Sequence, residues 1–341
     1  MSFIHFGCWN KGLCTALEEA NSNTPTTNLT RVMRQLRKNV SNQSNKKVDF
    51  VVIAGDNYYP DKKKINGKKV KTIVLKDLLS GFNCLPDNLF TFLLLGNHDI
   101  ENIKNQPIFQ LNKSECFIYQ FQKWYSENVK RNLILVAKDV VSNQMHNTQI
   151  ILIDSNLYDP NITKNIDCYK IIRNNANQSN ASANTFFQNL LTKQTEQVAN
   201  IINNTTAENI IIIGHHPIVS LKMKKKSNGT AKEDPFYLLN MLELFTTPNK
   251  KYFYLCADTH LYQKGTITFS LSPNASSPEI TIEQYVCGTG GANKNNSPNY
   301  SLPYTLSLTQ TTYTIQESKS VNGYLYVDCN QETPTFNFKE I

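Results

Sequence analysis

Residues 48–59 read VDFVVIAGDNYY. A run of β-branched and aromatic residues breaks off at Gly55, and Asp56, Asn57, Tyr58 and Tyr59 follow at once. The run is apolar at successive positions, which predicts a strand buried on both faces, as in a sheet covered by helices. Glycine lets the backbone turn sharply. The polar residues are then delivered to the carboxyl end of the strand, where open α/β sheets bind their ligands.

Working outward, the same kind of run recurs at 89–96 (LFTFLLLG), 133–137, 149–155, 209–214 (NIIIIG), 252–257 (YFYLCA), 280–288 and 323–328. Between the runs lie amphipathic stretches. In 26–40, Leu29, Val32, Met33 and Leu36 form one helical stripe after a threonine cap. In 186–204 the stripe is expected to be Leu190, Leu191, Val198 and Ile201. Strands alternating with helices predict an α/β fold. No repeat or linker interrupts it, so residues 1–341 are read as one domain. The Asn/Ser/Ala-rich stretch 174–184 and two lysine runs, DKKKINGKKVK (61–71) and KMKKKSNGTAK (222–232), read as surface loops.

Composition narrows the class. Forty per cent of the residues are hydrophobic, which is ordinary for a globular protein. No apolar run reaches the roughly 18–20 residues of a membrane helix, so no membrane partner is expected. No basic segment followed by an apolar one opens the chain, so no signal peptide is expected. The eight cysteines are scattered without a CxxC pair. Together these features predict free thiols and a cytoplasmic location. The net charge of +8 is concentrated in the two lysine runs. Those runs lack the interleaved aromatics on which single-stranded nucleic acid stacks, so nucleic acid is not an expected partner.

Five strands end in the same manner. Apolar runs give way to Gly7-Cys8-Trp9-Asn10, Gly55-Asp56-Asn57-Tyr58-Tyr59, Gly96-Asn97-His98-Asp99, Gly214-His215-His216-Pro217 and Asp258-Thr259-His260. Four of the six histidines fall at these tips. Any one tip alone reads as a turn, but together they offer oxygen and nitrogen donors suited to hard or borderline metal ions. A carboxylate has two oxygens and can bridge two ions, and two ions clamp the attacking and leaving oxygens of a displacement at phosphorus. The imidazole of His98 is expected to reach the substrate, with Asp99 fixing its tautomer.

The order GDNYY, GNHD, GHHP, a D-x-H element and the Gly-rich CGTGGA resembles the calcineurin-like metallophosphoesterases over about residues 3–328. The tyrosine in GDNYY makes it most similar to the purple acid phosphatase branch. The resemblance implies a four-layer α/β/β/α sandwich with two central mixed sheets. It also implies two divalent or trivalent ions (Fe, Zn or Mn) and hydrolysis of an anionic phosphorylated substrate by metal-activated water attacking phosphorus in line. By position, Asp56 would bridge the ions. Tyr59 and His260 would bind the first ion, and Asn97 and His215 the second. His98 would stabilise the transferring phosphoryl group or protonate the leaving oxygen. His216 would contact the leaving group or substrate, or serve as a structural histidine.

Two positions depart from the family pattern. Cys8 stands where the first motif has an aspartate, and Asp258 where the G-H-x-H element has its first histidine. As a thiolate, Cys8 would favour zinc or iron over magnesium or manganese. Asp258 keeps a group able to bind a cation. Asn10 is expected to add a weak oxygen donor. Lys62, Lys63, Lys64, Lys224, Lys225 and Lys226 are expected at the mouth of the cleft, attracting an anion. Three readings stay open: an active phosphatase, a degenerate pseudo-phosphatase that only recognises phosphate or acts as a scaffold, and a phosphodiesterase or nuclease.

Overall fold

The computed structural model describes residues 1–15, 27–41, 47–59, 61–65, 68–72, 75–100, 132–137, 139–172, 182–225, 231–271, 278–297 and 301–341. Strands are numbered in chain order. One mixed sheet contains β1 (Ser2–Phe6), β2 (Phe50–Ile53), β5 (Phe90–Leu94), β6 (Leu133–Val136), β17 (Gly323–Asp328) and β18 (Thr335–Glu340). Its order is β18-β17-β1-β2-β5-β6, with β1, β2, β5 and β6 parallel and the other pairings antiparallel.

The second mixed sheet contains β7 (Val141–Met145), β8 (Thr148–Leu152), β9 (Asn209–Ile213), β12 (Lys251–Cys256), β13 (Tyr262–Ser270), β14 (Glu279–Cys287), β15 (Tyr304–Leu308) and β16 (Thr311–Lys319). Its order is β15-β16-β13-β14-β12-β9-β8-β7, with a parallel centre of β8, β9, β12 and β14. The expected α/β class with two mixed sheets is what the chain adopts.

Strand β9 explains the continuous apolar runs. Side chains alternate across a sheet. Ile211 and Ile213 therefore enter one core, while Ile210 and Ile212 enter another on the opposite face. Strands β8 and β12 divide in the same way, Ile150 from Ile151 and Phe253 from Tyr254. The first core also holds Phe3, Phe6, Val51 and Leu93 of the six-stranded sheet, so both sheets bury apolar faces in it. Stacking of Tyr285 on Phe336 and of Tyr262 on Phe338 adds to that contact. Removing one such buried isoleucine to alanine costs about 2–5 kcal/mol.

Helix α1 (Asn28–Ser41) forms where expected. Thr27 Oγ1 accepts from Thr30 N at 3.0 Å, and Leu29, Val32, Met33, Leu36 and Val40 are buried. The helix Ala183–Asn204 is capped by Ser182. Its buried face is rotated from the expected one. Phe186, Phe187, Val198 and Ile202 are buried, while Leu190, Leu191 and Ile201 are half-buried at its margin. Two phenylalanines in the first turn set this rotation.

The described residues of the lysine runs form strands, not loops. Residues Asp61–Ile65 (β3) and Lys68–Thr72 (β4) pair as an antiparallel hairpin, as do Val219–Lys225 (β10) and Ala231–Tyr237 (β11). In β10 the apolar Val219 and Leu221, both buried, alternate with Ser220, Lys222 and Lys224. This is the period of a strand with one covered face. In the other run Asn66-Gly67, the strongest two-residue hairpin signal, separates the paired strands. The side chains of Lys62, Lys63, Lys64 and Lys225, together with Lys226 and residues 173–181, lie outside the described residues.

The expectation of eight free thiols is corrected as well. Cys14 and Cys84 form a disulfide across 70 residues of chain. Cys168 is also disulfide-bonded, whereas Cys8, Cys256, Cys287 and Cys329 are free and buried. Long-range pairing of this kind leaves no spacing signal in a sequence. Among the described residues no helix is long and apolar enough to cross a membrane.

His5 in β1 is buried, and its Nε2–H donates to Cys256 O at 3.1 Å. Burial lowers its pKa to about 4. The unfolded chain therefore binds this proton more readily than the folded one. Stability from His5 is complete above the unfolded value near 6.5 and is lost as pH falls through the folded value. The loss is expected to be on the order of 3 kcal/mol between pH 7 and pH 4. A His5→Gln variant, followed by thermal melts across this range, is expected to show a visibly flatter acid limb.

Candidate metal centre

The strand tips of both sheets are stitched together at their carboxyl ends. Ala54 N donates to Phe6 O at 2.7 Å and Cys8 N to Gly55 O at 3.2 Å. Gly7 N crosses to Cys287 O of the other sheet at 3.0 Å, and Ala257 N donates to His215 O at 2.8 Å. A Cβ on Gly7 would lie 2.6 Å from Ala257 Cβ, and one on Gly55 would lie 2.6 Å from Gly96 N and His215 Nδ1. Glycine is what lets these tips meet. Asp56 lies 1 % exposed at the junction. Cys8, Asp56 and Asp258 all adopt left-handed backbone, with φ of 52°, 52° and 44°. Such conformations cost side-chain-bearing residues about 1–2 kcal/mol each and cluster at functional sites.

Two donor clusters flank Asp56. On one side Asp56 Oδ2 accepts from Tyr59 OH at 2.6 Å and lies 3.8 Å from Cys8 Sγ. Tyr59 OH lies 2.9 Å from His260 Nε2. Donor atoms of Cys8, Asp56 and His260 all fall within 4.8 Å of one another. On the other side His215 Nε2 lies 3.1 Å from Asn97 Oδ1, 3.4 Å from Asp56 Oδ1 and 3.6 Å from Asp258 Oδ1. His215, His216 and Asp258 form a second group within 4.8 Å. The structure thus brings Cys8, Asp56, Tyr59, Asn97, His215, Asp258 and His260 together.

The histidine rings are oriented as metal ligands usually are. His215 Nδ1–H donates to Ala54 O at 2.6 Å, and His260 Nδ1–H donates to Asn293 O at 2.7 Å. A carbonyl only accepts, so both rings turn Nε2 toward the acidic cluster.

Electrostatics points the same way. Burial alone would lower the pKa of His215, but Asp56 and Asp258 raise it to about 9. Burial alone would raise Asp258; the hydrogen bond to His215 and the charges of His216, His215 and Lys222 outweigh it and hold the carboxyl well below its usual range. Burial, then Asp56 and Asp258, push the Cys8 thiol well up. Without cations this pocket keeps protons on Cys8 and His215. A divalent ion displaces such protons when it binds. A donor set of thiol, carboxylates, imidazoles, phenol and amide fits a pair of borderline cations.

Some expected roles change. Asp99 does not hold the His98 ring. Its carboxylate accepts from Asn57 N at 2.9 Å, from Asn57 Nδ2 at 2.8 Å and from Gly96 N at 2.8 Å, so it clamps the GDN loop to the GNH loop. Burial and the Asp56 charge raise its pKa to about 7. Asn10 is not a donor to the Cys8 side. Its Nδ2 donates to Asn57 O at 3.0 Å and to Leu78 O at 3.1 Å, bolting the first tip to helix α2 (Leu75–Asn83). Trp9 Nε1 donates to Asn57 Oδ1, so the first tip is a support for the second.

His98 sits at the start of the short helix Asn97–Ile100, with its backbone N–H donating to Asp56 Oδ1 at 3.1 Å and its ring half-buried 5.0 Å from that of Tyr59. His216 is buried, stacked on Phe236 at 6.0 Å, and its Nδ1 lies 3.1 Å from Ser155 Oγ. Burial, then His215, lowers its pKa to about 4.

Ser155 was missed from sequence. Its Oγ accepts from both His215 N and His216 N at 2.9 Å, setting the geometry of the double-histidine turn. It follows the carboxyl end of β8 in the stretch IDSN, so the strand-tip rule applied at the other tips would have found it.

The calcineurin-like phosphoesterase family model matches residues 1–262, a span that includes every donor named above. The chain belongs to the calcineurin-like phosphoesterase family. Its sheets are those of a member of that family. A solved structure described as that of PhoD is similar at 13 % identity, with a TM-score of 0.47, covering 99 % of this chain and 68 % of that one. No curated protein matches the chain. As a calcineurin-like phosphoesterase, the chain is a hydrolase of phosphorylated substrates whose family typically depends on a pair of metal ions.

Proposed function

We propose that the protein is a phosphomonoesterase with a dinuclear metal centre, acting in the manner of the purple acid phosphatase branch. The observation that carries this reading is the position of Asp56, one oxygen facing Tyr59 and Cys8, the other facing His215. Cys8, Asp56, Tyr59 and His260 would hold one ion, and Asp56, Asn97, His215 and Asp258 the other. When bound, iron, zinc or manganese supplies Lewis acidity toward the phosphoryl oxygens and lowers the pKa of water.

The remaining work belongs to the chain. Ala54 O and Asn293 O fix the tautomers of His215 and His260. Asp99 and Asn57 hold the two loops at the spacing the donors need. His98 is tied to Asp56 through its backbone N–H, its ring lies beside Tyr59, and it is the group we assign to stabilise the phosphoryl group or to protonate the leaving oxygen. His216, packed under Phe236 and hydrogen-bonded to Ser155, supports the turn beside it. Residues 1–341 act as one domain in this reading.

The test is phosphate release from an aryl phosphate. Release that a chelator abolishes and added metal restores is the expected result. A diaryl phosphate cleaved faster than the monoester would replace this reading by a phosphodiesterase. A second reading, a degenerate phosphate-binding module, is favoured by one observation, the buried thiol of Cys8 standing where the first motif of the family has an aspartate. Cys8→Asp separates the two. If that variant gains metal and activity severalfold, the native site is the degenerate one; the phosphatase reading expects the wild type to carry its metal already.

The cytoplasmic location expected from the lack of a signal peptide and membrane segment, with scattered cysteines, has the Cys14–Cys84 disulfide against it. Structural disulfides persist in oxidising compartments.

A further inference from the structure

The β10–β11 hairpin is anchored beside the metal centre. Ser220 Oγ lies 2.8 Å from Thr259 Oγ1, on the residue between Asp258 and His260. Across the hairpin, Phe236 stacks on His216, its ring plane 13° from parallel. Met223 N donates to Asn296 O at 3.0 Å, which fixes the ribbon further out.

The register pairs Ser220 with Phe236, Lys222 with Asp234, and Lys224 with Lys232. Directly opposite residues share a face, as do residues two apart on one strand. Ser220, Phe236, Lys222, Asp234, Lys224 and Lys232 therefore form one face, which begins at the metal centre and runs outward. The opposite face carries Val219 and Leu221, both buried.

Charge along the first face is graded. Lys222 is close enough to Asp258 to stabilise its charge, and its Nζ lies 3.8 Å from Asp234. One step further out, two exposed lysines stand opposite each other with no acidic side chain of the ribbon on that face beyond Asp234. Like charges directly opposite destabilise a ribbon. An anion between them removes that cost, and lysine is a point-charge binder of phosphate. A step of two residues along a strand is about 7 Å.

We propose that Lys224 and Lys232 bind a second phosphate group of the substrate, so that the substrate is a small molecule carrying two phosphates, the outer one roughly 13 Å, two such steps beyond Ser220, from the phosphorus that reacts. The proposal rests on the phosphatase reading above. It makes the hairpin the element that selects among phosphorylated molecules, with the metal centre common to all of them.

The test compares monophosphates and α,ω-bisphosphates of straight-chain diols of increasing length, with metal-loaded protein at low and moderate salt. The expected result is a kcat/KM at least tenfold higher for a bisphosphate of matching length than for the monophosphate of the same diol. This advantage should shrink with salt. In the Lys224→Gln/Lys232→Gln double variant the ratio should fall to near one. A ratio near one at every length in the wild type, or an undiminished ratio in the variant, would overturn the proposal. Calorimetric binding of the same probes separates its failure from that of the phosphatase reading. If no probe is hydrolysed, the phosphatase reading fails. The hairpin is then judged on whether the bisphosphate binds at least tenfold tighter and loses that margin in the double variant; equal binding overturns it.

Discussion

Asp56→Asn will lower the rate of phosphate release roughly a thousandfold, equivalent to about 4 kcal/mol of transition-state stabilisation. Asparagine is nearly isosteric and keeps one oxygen, so the fold has no reason to fail. It loses the charge that both clusters share, because Asp56 faces Tyr59 and Cys8 with one oxygen and His215 with the other. The same variant is expected to lose bound metal. Steady-state kinetics beside elemental analysis checks both effects. A loss of less than tenfold would mean that Asp56 does not stand between the ions.

The second large effect is on stability. Asp99→Ala will cost about 3–5 kcal/mol, read as a lowered urea midpoint at unchanged slope. The carboxylate is fully buried and receives Gly96 N, Asn57 N and Asn57 Nδ2. Deleting it leaves three buried donors without their acceptor, each a penalty of about 1–3 kcal/mol that relaxation partly relieves. Asp99→Asn keeps an acceptor oxygen and is expected to cost clearly less. If alanine costs under about 1 kcal/mol, the clamp between the two loops is not what holds them.

The contrast between these residues shows what a sequence carries and what it does not. Asp56, Asn97, His215 and His260 were legible because each follows an apolar run at its carboxyl end, where fold topology alone dictates convergence. Asp99 was legible as a site residue but not in its role. Adjacency to His98 suggested a partner, whereas the turn aims the carboxylate back at Gly96 and across to Asn57. Asn10 was misread for the same reason, since its left-handed backbone (φ 47°) directs the amide toward α2. Ser155 was legible as a strand-tip residue after β8, but its role, accepting from two backbone amides of a distant turn, was not.

At the level of the fold, the buried strands were read correctly because a strand covered on both faces is apolar at every position, as β9 is. The lysine hairpins were not, because lysine has low strand propensity and its charge outweighed the alternation beneath it. The Cys14–Cys84 bond joins positions 70 residues apart, and proximity at that separation is a property of the tertiary structure only.

The central claim, that strand tips from two sheets gather around Asp56 to hold a pair of cations, has one direct measurement. Crystals of the protein soaked in zinc or iron and recorded at the absorption edge of the metal should show two anomalous peaks, about 3.5–4 Å apart. One should lie against Cys8, Tyr59 and His260, the other against Asn97, His215 and Asp258, with the Asp56 carboxylate between them. A single peak away from Asp56, or none at saturating metal, would contradict the account.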